Sequence, residues 1–356
     1  MNILAIETSC DDTSISLVKC EGDLDNIVST TYAQVVSSQI KIHKKYGGVV
    51  PSLASREHEK NIDIVLKEVI KKANIKKDLV KDFIDAIAVT TSPGLLPSLL
   101  IGVNFAKSLS YFLDKPIISV NHLLGHICSN FISLQEKNYS IKFNYPAVTL
   151  LVSGGHTQLY TFNNLKDFQI KGETKDDAAG ECFDKIAKML NLGYPGGPAI
   201  SKEAMKIKNK EYDFSLPRPM MHTDDFYFSF SGLKTAVMYL IKKLKKANKF
   251  TSETVSQICY ESEQAICEVL TKKTINLALQ QNAKAVFLSG GVSANSTLKE
   301  MLKQSCQKYD IQFIAPEIKL TMDNATMIGI AGYVKYLNQG YTSFDNVQAS
   351  LEEKIF

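Results

Sequence analysis

The stretch N-I-L-A-I-E-T-S-C-D-D-T-S-I-S-L-V, residues 2–18, decides the fold. Residues 2–9 read as a buried strand, Cys10-Asp11-Asp12 as a tight polar turn, and residues 13–18 as the returning strand of a hairpin. A third strand is expected over 27–36. Pro51 then opens a helix to about residue 73, with apolar positions at Ile62, Val65, Leu66, Val69 and Ile70. Residues 84–91 form a strand, Ser92-Pro93-Gly94 turns the chain, and a helix runs from Pro97 to about residue 113.

The pattern then starts again. Residues 148–152 are a strand, Ser153-Gly154-Gly155-His156 is the turn, and 157–162 is the return strand. A third strand is expected at 168–171, with helices near 177–190, 197–207, 233–247 and 254–280. Residues 285–288 form a further strand, and S-G-G-V-S-A-N (289–295) leads into a helix. A short strand at 312–314 and a helix over 324–337 follow. Hairpin, strand and helices in the same order twice predict an α/β protein made of two copies of one unit facing each other across a cleft.

Length and composition agree with two soluble domains: 356 residues, 45% hydrophobic and 22% charged. A net charge of +4 is compatible with a nucleic-acid partner. The seven cysteines include no C-x-x-C and point to free thiols in a reducing compartment. No signal-peptide pattern and no apolar run of membrane-spanning length is read, so a cytoplasmic location without membrane contact is expected. The charge run from Lys242 to Lys249 is either a solvated helix end or an RNA contact.

The chemistry gathers at N-H-L-L-G-H, residues 121–126. His122 and His126 are four residues apart, on one face of a helix that Asn121 is suited to cap, directly after the strand 117–120. Such a pair either faces solvent or grips a metal ion. Asp323, at the start of the last long helix, is either an N-cap or a third ligand. Two histidines and one carboxylate suit a catalytic Fe²⁺ or Zn²⁺. The turns Ser92-Pro93-Gly94, Ser153-Gly154-Gly155 and Ser289-Gly290-Gly291 can bring backbone N–H groups close to a phosphate. None is a Walker A or G-x-G-x-x-G sequence, so a nucleotide cleft of another type is expected. Y-P-G-G-P (194–198) either presses on a ribose or base or simply starts a helix. Asp176 and Asp177 fit compensation of one helix dipole. Asp184, two turns in, and Asn295 suit ribose hydroxyls.

These pieces resemble one family. I-E-T-S-C-D-D (6–12), Y-G-G-V-V-P-S-L-A-S-R-E-H (46–58), N-H-L-L-G-H (121–126), L-V-S-G-G-H-T-Q-L (151–159), D-D-A-A-G-E-C-F-D-K (176–185), Y-P-G-G-P (194–198), F-S-F-S-G-L-K-T-A (228–236), S-G-G-V-S-A-N (289–295) and M-D-N-A-T-M-I-G-I-A-G (322–332) follow the order of motifs in tRNA N6-adenosine threonylcarbamoyltransferases. The resemblance implies a duplicated actin-like, Hsp70-like two-lobed fold. The lobes are expected at 1–128, with the helix 324–338 packing back on it, and at 129–323. It also implies transfer of a threonylcarbamoyl group from threonylcarbamoyl-AMP to N6 of adenosine 37 in tRNAs reading codons that start with A.

By matching positions, His122, His126 and Asp323 would hold one divalent metal, iron first, zinc or magnesium otherwise. Leu151, Val152, Ser153, Gly154, Gly155, Asp184, Gly197 and Asn295 would bind the adenylate. Bacterial members work with a smaller inactive paralogue and a P-loop ATPase. Leu124 stands where many members carry Glu, and Leu151 where archaeal-type members carry a Tyr ligand, so three protein ligands are expected. The amine needs a base, and Asp11 at the first hairpin turn is the candidate. The competing readings are a zinc peptidase, a sugar kinase or ATPase of the same fold, and a non-catalytic scaffold. The peptidase lacks its glutamate, because Leu123 stands in that place.

Overall fold

The computed structural model describes residues 1–132, 139–140, 144–207 and 212–355. In chain order the strands are Asn2–Glu7 (β1), Asp12–Asp23 (β2), Asn26–Ser38 (β3), Ala86–Ser92 (β4), Ile117–Asn121 (β5), Tyr139–Ser140 (β6), Ala147–Val152 (β7), Thr157–Phe162 (β8), Phe168–Glu173 (β9), Ala285–Ser289 (β10) and Gln312–Ile314 (β11). The α-helices are Ile40–His43 (α1), Pro51–Lys72 (α2), Val80–Phe83 (α3), Leu96–Leu113 (α4), His122–Cys128 (α5), Ala179–Met189 (α6), Gly196–Ala204 (α7), Ser231–Lys246 (α8), Ser252–Gln280 (α9), Ser296–Lys308 (α10) and Ala325–Gln339 (α11).

The chain divides into two compact units: Met1–Phe143 with Asn164–Phe168 and Pro316–Phe356, and Asn144–Asn163 with Gln169–Ala315. These limits differ from the expected 1–128 and 129–323. Residues 316–323 go with the first unit because they lead into α11, which lies on that unit's sheet.

The first unit is a six-stranded sheet in the order β5-β4-β1-β2-β3-β6. β1 pairs antiparallel with β2 (Ile3 opposite Val18, Ile6 opposite Ile15) and parallel with β4. Both faces are covered, so β1 reads as a continuous apolar run rather than an alternation. On one face Leu4, Ile6, Ile15 and Leu17 pack with Ile62, Val65 and Val69 of α2 and with Val103 and Ala106 of α4. On the other face α11 comes close enough that a Cβ on Gly332 would lie 2.8 Å from the Ala88 Cβ. The helix α4 has the length and composition of a membrane span, with mean hydropathy 1.2, contrary to the expected absence of such a run. Its Val103 and Ala106 are nevertheless buried in this core, and its Leu99 is buried as well.

The second unit is a five-stranded sheet in the order β11-β10-β7-β8-β9. β7 pairs antiparallel with β8 across the Ser153–His156 turn and parallel with β10. β1 to β5 and β7 to β11 therefore repeat one strand order. The long α9 is the core helix of this unit. It packs against α7, α10 and β7, and a reciprocal capping box between Thr251 and Thr254 starts it. With two such sheets and their helices, the chain has the duplicated actin-like, Hsp70-like architecture.

Candidate active site

In the first unit, β5 delivers the chain to Asn121, whose Oδ1 accepts the backbone N–H groups of Leu123 and Leu124 at 2.8 and 3.2 Å. This cap starts α5, and all seven of its residues are buried. His122 and His126 thus face inward, with ring centroids 4.6 Å apart. α5 and α11 meet at Gly125, where a Cβ would lie 2.7 Å from Ile328 Cδ1. The cap of α11 is Asn324, whose Oδ1 accepts the Met327 amide at 3.0 Å. Asp323 is therefore not needed as a cap. Its Oδ1 lies 3.5 Å from His122 Nε2 and 3.3 Å from His126 Nε2.

Each of His122, His126 and Asp323 offers one ligand atom, and these atoms lie within 4.8 Å of one another. Tetrahedral bonds of roughly 2.0–2.2 Å put neighbouring ligand atoms roughly 3.3–3.6 Å apart. Both carboxylate–imidazole distances fall in or near that range, and the donor set N, N, O fits a divalent first-row metal.

Glu7, at the end of β1, stands directly behind His122. Its carboxylate is fully buried and accepts the Ser9 amide, the Thr90 hydroxyl at 2.8 Å and His122 Nδ1 at 2.9 Å. Burial raises Glu7, but the His122 charge and the hydrogen bonds outweigh it and hold the carboxyl below its ordinary value. Glu7 is then an anion that holds a proton on His122 Nδ1 and turns Nε2 toward Asp323, where a bound metal would displace the proton that the charged ring carries on Nε2. Burial pulls His122 down, while Glu7 and Asp323 together raise it to about 9. His126 is lowered by burial and by the His122 charge. Its Nδ1 is buried without a hydrogen-bond partner among the described residues, so it lacks the support that Glu7 gives His122. Glu7 escapes a sequence reading because it ends an apolar strand with nothing nearby to mark a partner 115 residues away.

The turn between β1 and β2 carries Asp11, half-buried, and Asp12, buried. Burial and the Asp323 charge raise both carboxyls, Asp12 to about 7. Two further residues that sequence reasoning missed fix this turn. His58 of α2 reaches the Cys10 carbonyl through Nε2 at 3.0 Å and Thr13 Oγ1 through Nδ1 at 2.8 Å. Gln39 donates its backbone N–H to the Asp11 carbonyl at 3.1 Å.

In the second unit, Leu151 and Val152 end β7 and are buried, whereas Gly154 and Gly155 are exposed. Open space lies where their side chains would be. Ser153 accepts the Gly180 N–H at 3.2 Å, which seats the turn on the start of α6. Gly290 adopts φ +89°, and a Cβ there would lie 2.4 Å from the Val152 carbonyl oxygen. The two Ser-Gly-Gly turns therefore pack together, which only glycine permits. Asp184 Oδ1 accepts the Gly196 N–H at 2.6 Å and joins the Y-P-G-G-P loop to α6, and Gly197 borders open space.

Asn295 departs from the expectation of a side chain ready for ribose. Its Oδ1 caps α10 at Leu298 N, and its Nδ2 donates to Glu263 and Ser201. Asp176 and Asp177 depart from the expected compensation of the helix that follows them. Asp176 does not compensate α6 but accepts the backbone N–H groups of Phe230 and Ser231 at the start of α8. Asp177 pairs with Lys185 and Lys234.

Comparison with known proteins gives the family and the fold. The family model described as tRNA N6-adenosine threonylcarbamoyltransferase matches residues 30–330. A relative of that name from Thermosipho africanus is 42% identical over 355 residues, covering all of both chains. One from Caldicellulosiruptor saccharolyticus is 43% identical over 96% of this chain and 95% of its own. One from Staphylococcus epidermidis is 43% identical over 94% and 92%. Among solved structures, full-length HypF in its phosphate- and nucleotide-bound form aligns with a TM-score of 0.57 at 13% identity, over 96% of this chain and 47% of that one. HypF from T. kodakarensis aligns with a TM-score of 0.55 at 15% identity, over 98% and 50%. The fold is shared with HypF, and by full-length identity this chain belongs to the tRNA N6-adenosine threonylcarbamoyltransferase family.

Proposed function

We propose that the chain transfers the threonylcarbamoyl group of threonylcarbamoyl-AMP to N6 of adenosine 37 in tRNAs that read codons starting with A, releasing AMP. The observation that carries the reading is the convergence of His122, His126 and Asp323, with Glu7 behind His122, in a chain that matches the family over its full length.

The adenine amine is a weak nucleophile, so the site must raise the electrophilicity of the donor carbonyl. His122, His126 and Asp323 would hold a divalent ion, which would supply a Lewis acid for that carbonyl or for the neighbouring phosphate. Iron is the first candidate, with zinc or magnesium as alternatives. Glu7 fixes the His122 ring through Nδ1 and aims Nε2 at the ligand set. Leu151, Val152, Ser153, Gly154, Gly155, Asp184 and Gly197 hold the adenylate, the glycine turns giving N–H groups to the phosphate that leaves. Asn295 holds this face together through Ser201 and Glu263. As N6 bonds to the carbamoyl carbon, the bond from that carbon to the phosphate oxygen breaks. The N6 proton passes to Asp11, whose raised carboxyl value brings its basicity closer to neutrality. A smaller inactive paralogue and a P-loop ATPase are its working partners, in the cytoplasm, where the seven free thiols stay reduced.

The test is nucleoside mass spectrometry on tRNA from cells depleted of this protein and rescued with wild type or His122→Ala. N6-threonylcarbamoyladenosine should fall on depletion and return only with wild type. Equal rescue by both proteins overturns the metal assignment, and an unchanged nucleoside overturns the transferase reading.

A further inference from the structure

We infer that the short helical segment Lys41–Tyr46, with Arg56 in the second turn of α2, is the surface on which the RNA substrate lays its backbone next to the Asp11 turn. This inference rests on the transferase reading and names a part of the protein that the reading leaves open.

Three observations support it. The first is charge. Residues 39–56, Q-I-K-I-H-K-K-Y-G-G-V-V-P-S-L-A-S-R, hold Lys41, Lys44, Lys45 and Arg56 and no carboxylate. All four cations are exposed, and among the described residues none makes an ion pair. Unpaired cations that keep their counterions are the ones that gain most by meeting phosphates. The second is the aromatic ring. Tyr46 is 58% exposed, next to Lys45. An exposed ring beside unpaired cations is a platform on which an unstacked base can lie.

The third is the anchoring. The lysines stand on α1 and the single 3-10 turn after it, a segment tied from beneath by buried polar groups. Gln39 and His43 are 2% and 0% exposed. His43 Nδ1 accepts the Val50 N–H at 3.2 Å, so the ring proton sits on Nε2 and is donated to Gln39 Oε1 at 3.1 Å. Gln39 Nε2 donates to the Ala54 carbonyl at 3.2 Å, and the Gln39 backbone N–H goes to the Asp11 carbonyl. Gly47, at φ 69°, closes the segment with its N–H on Lys44 O. Lys41 follows Gln39 by two residues, which puts its Cα within roughly 12 Å of the Asp11 carbonyl. The segment is thus a preordered cationic edge registered to the turn that carries the proposed base. An adenosine presented there needs its flanking phosphates and one neighbouring base held.

A second lysine-rich segment, Lys242 to Lys249, serves as the internal control. It lies at the C-terminus of α8, where the helix dipole alone favours cations, and it belongs to the other unit.

The test is a fluorescence titration of the full-length protein with an unmodified tRNA transcript carrying adenosine 3′ to its anticodon, at several salt concentrations. Wild type is compared with K41Q/K44Q/K45Q, Y46A and K242Q/K243Q/K246Q, and each variant is also used to rescue depleted cells. The 41/44/45 triple should raise Kd at least tenfold and lower the slope of log Kd against log salt by about 2. Y46A should raise Kd roughly tenfold with the slope unchanged. The α8 triple should stay within twofold, and thermal melts of all three should match wild type. Variants of the segment that bind like wild type, or an α8 triple that loses as much, overturn the inference. In either case wild type still restores the modified nucleoside. Failure of the transferase reading looks different, because wild type itself then restores nothing.

Discussion

Glu7 shows how one buried side chain decides what the site can hold. It accepts three hydrogen bonds and fixes His122 with Nε2 outward, so its removal should act on metal affinity before it acts on the fold. Glu7→Gln keeps the shape but must offer an amide N–H to one of its three donors. Metal affinity measured by titration of the apo-protein should fall roughly 10–100-fold. Affinity within twofold of wild type would show that His122 is oriented by something else. Asp176 gives a prediction about pH. Burial raises its carboxyl, but the Ser229 and Ser231 hydroxyls and the Phe230 and Ser231 amides outweigh this and lower it to about 2. A folded value below the ordinary 3.8 means that Asp176 stabilises the protein above about pH 4, and that this contribution disappears as pH falls toward 2. Asp176→Ala should cost about 1 kcal/mol at neutral pH through the lost cap of α8, and markedly less near pH 2, where about half of the folded-state carboxyls are protonated. Urea melts at the two pH values check this, and a pH-independent difference would refute it. Neither residue could be placed from sequence. Glu7 and Asp176 each act on a partner more than fifty positions away, and nothing local marks such a pair.

Elements were more legible than residues, because periodicity and caps are local. Asn121 at the start of α5 and Pro51 at the start of α2 are read directly from sequence, and the structure has both. The β1–β2 and β7–β8 hairpins are read the same way. What stays hidden is how closely elements approach, since that depends on surfaces brought together by the fold. The helix α11 is the clearest case. Gly329 and Gly332 set its distance from the first sheet, and a Cβ added at Gly332 would lie 2.8 Å from the Ala88 Cβ of β4. Alanine at 332 gains about 1 kcal/mol of helix propensity. It must also move a helix away from a strand, which costs about 1–3 kcal/mol. Gly332→Ala should therefore be destabilised by up to about 2 kcal/mol in urea with an unchanged m-value. A more stable variant would mean that the interface has slack. The same shift would be felt at Asp323, two residues before α11, so the variant should also bind metal more weakly than wild type.

At the scale of the whole molecule, duplication was visible as a repeated order of elements, and its two copies have diverged in chemistry. The first unit holds His122, His126, Asp323 and Glu7, whereas the second carries Ser153-Gly154-Gly155 and Ser289-Gly290-Gly291. The unit limits were not legible, because the chain leaves the second unit at Ala315 and returns to the first without a composition change to mark it. This return brings Asp323 to α5, so the ligand set joins two segments about 200 positions apart. A cation bound there stabilises only states in which both segments are in place, by about 4 kcal/mol at a thousandfold excess over Kd. Adding the native ion to metal-free protein should then raise the melting temperature of the first unit on the order of 10 °C. Hydrogen exchange reads the same effect locally. Chelation should speed exchange in β5, α5 and the start of α11, and leave α6, α7 and α10 of the second unit unchanged. His122→Ala should exchange like the chelated protein whether or not metal is added. Protection that spreads equally over both units, or that survives in His122→Ala, would place the cation elsewhere.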